Sequence, residues 1–327
     1  MAGSAELVRD SEDRRRLGAR MAELAETAQH PALLRLVESL TRRYGECALA
    51  VLFYGSCLRG GDPYDGLVDL YLIVDRYRCA NASWLKAAWN RLLPPNVFYT
   101  ELADGDRKLR CKYAILSLHD LEKGCSPRWH HSYFWGRFSQ PTAIAYSRDD
   151  ASRAAVQASF GSAAVTFLAR VLPRVPAQGS VTDLWREGLA LSYRAELRAE
   201  GQGRAKQLTQ ANRHFYETVT RGAAELLKFD LETSGDTRGT RYRALIPRRR
   251  RIVSQLDWAL RIAHGKLLSV ARLIKALFTF EGGLDYIAWK LERHSGVAVE
   301  IPARVRRHPL IFIWGLFWKL YRQGVFR

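Results

Sequence analysis

FYGSCLRGGDPYDGLVDLYLIV, residues 53–74, sets the fold class of this chain. The apolar run ALAVLFY (48–54) stops abruptly at Gly55, and a Gly/Pro/Asp-rich stretch follows. The chain then turns β-branched and aromatic again in GLVDLYLIVD (66–75). That pattern predicts two strands joined by a turn-rich loop. Further out, NVFYTEL (96–102) and KLRCKYAILSL (108–118) read as third and fourth strands around the turn ADGD. WLKAAWNRLL (84–93) reads as a helix stopped by Pro94 and Pro95. Strands interleaved with helices predict an α/β (α+β) sheet domain.

Around this centre the periodicity is helical. Leu17, Met21, Leu24 and Ala28, then Leu33, Leu36, Val37 and Leu40, recur at helix spacing about Pro31. Residues 151–172, 181–200 and 204–232 read as helices, and strand signals fade after 126. ETSGDTRGTRYRALIP (232–247) reads as a linker to two more helices, 252–278 and 284–293. The expected organisation is N-terminal helices over 1–45, a sheet domain over 46–150, a helical domain over 151–236 and a C-terminal region over 237–327.

The chain has 327 residues and a formal charge of +18, with 47% apolar and 26% charged residues, a globular composition. From Thr237 onward there are 19 basic and 5 acidic residues, so the end of the chain should meet something anionic. Five cysteines without a C-x-x-C pair argue against a disulfide framework or zinc ribbon and suit a reducing compartment. No run reaches the ~20 apolar residues that a bilayer span requires, and the N-terminus, which mixes acidic with basic residues, lacks a targeting pattern. P-loop, hydrolase-elbow and zincin motifs are absent. His130, His131 and His264 lack an acidic partner at ligand spacing and read as surface residues.

A strand ending in Gly-Ser, a loop, and an Asp inside the next strand outline a polymerase-β-type nucleotidyltransferase site. Gly55 would let the backbone approach a triphosphate, while Ser56 offers an N–H and a hydroxyl. Asp69 would hold Mg²⁺ bridging the phosphates. Tyr71 stands where most of that superfamily places a second carboxylate, so Asp75 or Glu101 is the remaining source of one. Arg110 and Lys112 alternate onto one strand face, where they would grip phosphates.

The order of these segments resembles the mitochondrial-type phosphatidate cytidylyltransferases, the translocator assembly and maintenance proteins. The family's Gly-Ser and Asp-apolar-apolar-apolar-Val-Asp patterns are similar to Gly55-Ser56 and to DLYLIVD, with acids at Asp69 and Asp75 and an apolar residue at the position of Tyr71. Its Trp-helix-Asn segment resembles Trp84 to Asn90, and its Lys-Tyr-Gly strand resembles Lys112-Tyr113-Ala114. Trp129, Tyr133, Gly136-Arg137-Phe138 and Pro141 resemble a further stretch, and LSYRAELR (191–198), with Glu196, resembles a later helix. KALFTFEGGLDYIAWK (275–290) is similar to the segment near the family's end. Cys57, Ala114 and Ala276 depart from small or glycine positions.

The resemblance implies a nucleotidyltransferase domain, a winged-helix-like helical domain and a membrane-binding C-terminal region. It implies CTP as substrate, Mg²⁺ as cofactor, phosphatidic acid as acceptor, and Arg137 among the nucleotide-binding residues. It places the protein peripherally at the cytoplasmic face of a bacterial inner membrane, or at the mitochondrial inner membrane in a eukaryote. No specific nucleic acid is expected, and a homodimer is left open.

The basic end reads as interfacial from its own residues. Leu310, Ile311, Ile313, Trp314, Phe317, Trp318 and Tyr321 form an apolar stripe flanked by Arg304, Arg306, Arg307, Lys319 and Arg322. Arg248, Arg249, Arg250 and Arg251, at the start of an amphipathic helix, would add a second contact. Two other classes fit the same residues: a nucleotidyltransferase with an RNA or small-molecule acceptor, and a non-catalytic membrane-associated relative.

Overall fold

The computed structural model describes residues 2–25, 30–81, 83–196, 201–236, 239–279, 301–302 and 304–305, which form a mixed α/β structure. Helices α1 (Ala2–Ala25) and α2 (Pro31–Tyr44) lead into β1 (Ala48–Tyr54) and β2 (Val68–Val74). Then come α3 (Tyr77–Ala80), α4 (Trp84–Leu92), β3 (Asn96–Asp104), β4 (Arg107–Ser117), α5 (Leu118–Cys125), α6 (Trp135–Phe138) and β5 (Ala143–Ser147). The strands form one mixed sheet in the order β3-β4-β2-β1-β5, in which β2 and β4 run parallel and the other pairs antiparallel. β5, absent from the sequence expectation, is the edge strand beside β1.

Alternation along the strands divides the sheet into two faces. Val51, Phe53, Leu70, Leu72, Tyr113 and Ile115 pack beneath the apolar side of α2. On the opposite face Leu52, Tyr71, Ile73, Ala114 and Leu116 pack against α7 (Asp150–Val171) and its neighbours. α7 is long and apolar enough to cross a membrane, contrary to the sequence reading, but it is mostly buried inside the protein. α1 crosses it through two glycines. A Cβ on Gly18 would collide with the Gln157 carbonyl, and one on Gly161 with the Arg14 carbonyl.

Beyond α7 lie β6 (Gln178–Ser180), α8 (Val181–Arg194), α9 (Gly201–Ala211), α10 (Arg213–Ala223), β7 (Leu231–Asp236) and β8 (Gly239–Ala244). The segment read as a linker is paired backbone: β7 and β8 form an antiparallel pair, and β6 adds to β8. One cystine joins Cys47 to Cys79, which the odd cysteine count does not announce, while Cys57, Cys111 and Cys125 are buried thiols.

The last described helix, α11 (Arg248–Thr279), is amphipathic with its polarity inverted. Its inner side carries Trp258, Arg261 and Lys275, all buried. Arg261 donates to the His130 carbonyl at 2.6 Å and to Asp257 at 2.7 Å, with its guanidinium over the Trp258 ring. His130 meets Asp257 at 3.0 Å, so the acidic partner missing at short spacing comes from a distant helix. Of the three histidines read as surface residues, His131 is instead 1% exposed, His130 is half-buried and His264 is exposed. The outer side of α11 shows Ile252, Val253, Leu256, Leu260, Leu267, Val270, Leu273 and Ile274 to solvent. The second C-terminal helix of the sequence reading, 284–293, and the membrane residues Arg307, Trp314, Phe317 and Trp318 lie outside the described residues.

Two outcomes follow from this packing. Gly161→Ala should lower stability by about 1–3 kcal/mol in denaturant unfolding, because the α1–α7 crossing must open to admit a methyl group. His131 is pushed down to about 4 from 6.5, chiefly by burial and then by Arg272. The neutral ring is thus favoured in the folded state. Stability from it is complete above 6.5 and is lost as pH falls from 6.5 to 4, by up to about 3 kcal/mol. His131→Asn should flatten that part of a stability-against-pH curve.

Candidate functional site

Register brings the first two functional side chains together. Asp69 on β2 is paired with Lys112 on the parallel neighbour β4, and both point to the α7 side of the sheet. Their charged groups are 3.1 Å apart, Nζ to Oδ1. The same Oδ1 is buried and accepts no aligned hydrogen bond, so it retains capacity for another electropositive group.

Gly55 follows β1 directly opposite. Its φ of +95° lies in the left-handed region, and a Cβ there would sit 2.8 Å from Asp69 Oδ2. The glycine is therefore required by the carboxylate itself, as well as by any phosphate approaching the turn. Ser56, just beyond, is exposed and opens a turn in which its carbonyl accepts from Arg59 and Gly61.

Gly55, Asp69 and Lys112 open into a cavity of about 670 Å³, within the range of small-molecule sites, whose wall does not include Ser56. Its wall includes Tyr54, Tyr71, Tyr133 and Tyr193, with Gln140, Thr142 and Leu273. Tyr71 packs its ring against Tyr54 and Phe138, so the position of a second carboxylate is filled by aromatic core. Four cations line the same space: Arg59, Lys112, Arg137 and Arg204. Arg137 lies over the rings of Tyr54 and Tyr133, 5.2 and 5.4 Å from their centres. Arg272 also lies over the Tyr133 ring, at 4.2 Å.

The charge balance is the informative feature. Asp69 is the single carboxylate in the cavity wall among the described residues. Arg59 is held below the usual guanidinium range, first by burial and next by the neighbouring Arg204. Like charges gathered in a half-enclosed space repel, and a polyanion relieves that repulsion. Tyr54 is pushed up by burial and by Asp69, so it remains a neutral hydroxyl able to donate.

The other expected residues fall elsewhere. Asp75 lies past the far end of β2, about 20 Å along the strand from Asp69. It pairs with Arg76 at 2.9 Å and lines a separate cavity. Glu101 shares the face of Asp69 but stands two strands away, roughly 10 Å at the usual spacing. There it accepts from the Tyr99 hydroxyl at 2.7 Å and faces Lys108 and Arg110 at 3.5 and 3.6 Å. Neither acid joins Asp69, which corrects the expectation of a two-carboxylate metal site. Arg110 is engaged with Glu101 and is not part of the cavity wall. Of the arginine run, Arg248, Arg249 and Arg250 are exposed, whereas Arg251 is half-buried and donates to the Val175 carbonyl.

Among the described residues no group of three or more His, Cys, Asp or Glu is placed to hold a metal. A single carboxylate with a buried, underused oxygen fits a hard cation that arrives with its own phosphate and water ligands. It does not fit a closed protein cage. Sequence reasoning missed Arg59, Tyr54 and Arg204. Arg59 lies in the quoted loop, three residues after Ser56, and could have been found there. Arg204 comes from α9, and nothing local in the sequence ties it to the sheet.

No protein-family model matches the chain, and no curated protein matches it at a significant level. The site's geometry gives its own test. Arg204→Gln should leave the melting temperature unchanged or slightly raised, since it removes a repulsive charge. It should weaken binding of inorganic pyrophosphate about tenfold by calorimetry.

Proposed function

We propose that this chain is a nucleotidyltransferase of the polymerase-β type that transfers CMP from CTP to phosphatidic acid at a membrane surface, releasing pyrophosphate. The observation that carries the proposal is the cavity at the end of β2, where Asp69 and Lys112 meet beside the left-handed Gly55 amid three further cations. The order of segments that resembles the phosphatidate cytidylyltransferases supports the choice of nucleotide and acceptor. Helices α8 to α10 with the three-stranded sheet β6-β8-β7 support the winged-helix-like reading of the middle region.

The lipid enters through a physical constraint. Extracting a diacyl chain from a bilayer costs about 0.8 kcal/mol per CH₂, so the enzyme must come to its acceptor. α11 offers the means: its apolar outer side runs from the exposed arginines at 248–250 to Leu273, which is part of the cavity wall. The surface that meets lipid and the cavity that holds nucleotide therefore share a residue.

In the proposed reaction a phosphate oxygen of the lipid attacks the α-phosphorus of CTP. The bond from that phosphorus to the β-phosphate oxygen breaks, and its electron pair leaves with pyrophosphate. A phosphomonoester is largely dianionic at neutral pH, with a second pKa near 6, so the attack needs no general base. That matches a cavity whose one carboxylate is already paired with a lysine. Arg59, Arg137 and Arg204 would hold the β- and γ-phosphates. Lys112 would meet the charge developing at the α-phosphate, and Asp69 keeps its ammonium aimed there. Asp69 would also hold Mg²⁺ brought in with the triphosphate, which when bound neutralises phosphate charge.

The single carboxylate also favours a second reading, a membrane-associated protein that grips a polyanion without turning it over. Labelled CTP, Mg²⁺ and phosphatidic acid vesicles separate the two: a liponucleotide product is expected, and nucleotide binding without product supports the second. A panel of nucleotides and acceptors, RNA included, tests specificity. Asp69→Asn should reduce turnover at least ~100-fold while leaving vesicle binding intact. Equal loss of both would mean that Asp69 serves folding.

A further inference from the structure

α4 presents a second surface that the proposed reaction does not use. Trp84, Leu85, Trp89 and Leu92 are 65, 51, 48 and 74% exposed. At 100° per residue they fall on one side of the helix, where Leu85, Trp89 and Leu92 line a shallow depression with Ala88 and Arg91. Two tryptophans and two leucines left together in water mark an interaction surface.

The edge of this patch is basic. Ala88 and Arg91 also line a cavity of about 570 Å³ whose wall carries Arg76, Arg78, His119 and Lys123. Its two carboxylates are already engaged, Asp75 by Arg76 and Asp120 by the Tyr77 hydroxyl. Tryptophan on the apolar side and arginine at the border is the composition of an element lying at the headgroup level of a bilayer.

The patch is also tied to α11. Lys275 donates to the carbonyls of Leu93 and Pro95, and Arg272 to that of Pro94, so the end of α4 adjoins residues 272–275. Leu92 thus neighbours the stretch that exposes Leu273 and Ile274, and Leu273 reaches the Asp69 cavity. Charge selects among occupants. Residues 306–327 carry five basic residues and no acidic ones, and a second copy would oppose one basic rim to another. An anionic bilayer is complementary where both of those are repulsive.

We propose that α4, together with the end of α11, is a docking surface for an anionic bilayer. Trp84, Leu85, Trp89 and Leu92 sit at the acyl boundary, and the cavity beside Arg91 receives a lipid phosphate. The proposal rests on the membrane reading above, yet docking needs no turnover, so the two fail separately.

The test uses the full chain with Leu92→Cys carrying an environment-sensitive fluorophore, the remaining cysteines being buried thiols or the Cys47–Cys79 cystine. Without nucleotide, phosphatidylcholine vesicles containing phosphatidic acid should shift the emission to the blue, and pure phosphatidylcholine should not. The unlabelled double variant W84S/W89S should keep its melting temperature and lose about tenfold in affinity for the anionic vesicles. Emission already blue without vesicles and unresponsive to them would overturn the proposal in favour of the chain's own tail. A shift that depends on protein concentration alone would overturn it in favour of a second copy. Full-affinity vesicle binding by W84S/W89S, or no vesicle binding at all, would also overturn it.

Discussion

The contact between Asp69 and Lys112 is the constraint from which the rest of the site follows. It exists because β2 and β4 are parallel neighbours in register, which puts a carboxylate and an ammonium side by side at the open end of one sheet face. The carboxylate in turn crowds out a side chain at residue 55, where the backbone is left-handed. That turn directs the loop carrying Arg59 back over the cavity. A one-residue slip of either strand would turn its charged group into the core beneath α2 and break the pair.

Cations dominate what surrounds the pair, and the aromatic rings determine how they are held. Arg137 and Arg272 both lie over the ring of Tyr133, and Arg137 also covers Tyr54, so ring faces position these guanidinium groups. Carboxylates in those places would neutralise the arginines and leave nothing for a ligand to satisfy. The inverted polarity of α11 extends the same logic to the outside. With Arg261 and Lys275 buried on carbonyls and Asp257, its leucines are left facing outward.

Much of the sheet was legible in the sequence, because period-two alternation and turn residues are local signals. ALAVLFY became β1 without shift of a residue, and the spans read for β2, β3 and β4 differ from the structure by two residues at most. β5 was missed because AIAYS is too short to show alternation, and the antiparallel β7–β8 pair because its Gly/Thr/Arg composition looks like a linker. Gly55, Asp69, Lys112 and Arg137 were found from pattern and resemblance, and they do meet in one cavity. Asp75 and Glu101 were wrongly grouped with them because strand length and strand order are properties of the sheet. Arg204 and the cover given to His131 by α11 depend on contacts more than sixty residues apart in sequence, which no local pattern encodes.

A crystal of the protein grown with Mg²⁺ and a non-hydrolysable CTP analogue tests the central claim most directly. The account predicts the triphosphate in the cavity beneath Tyr54, its terminal phosphates on Arg59, Arg137 and Arg204, and a cation between the phosphates and Asp69. A nucleotide bound elsewhere, with Asp69 still facing only Lys112 across an unchanged cavity, would contradict it.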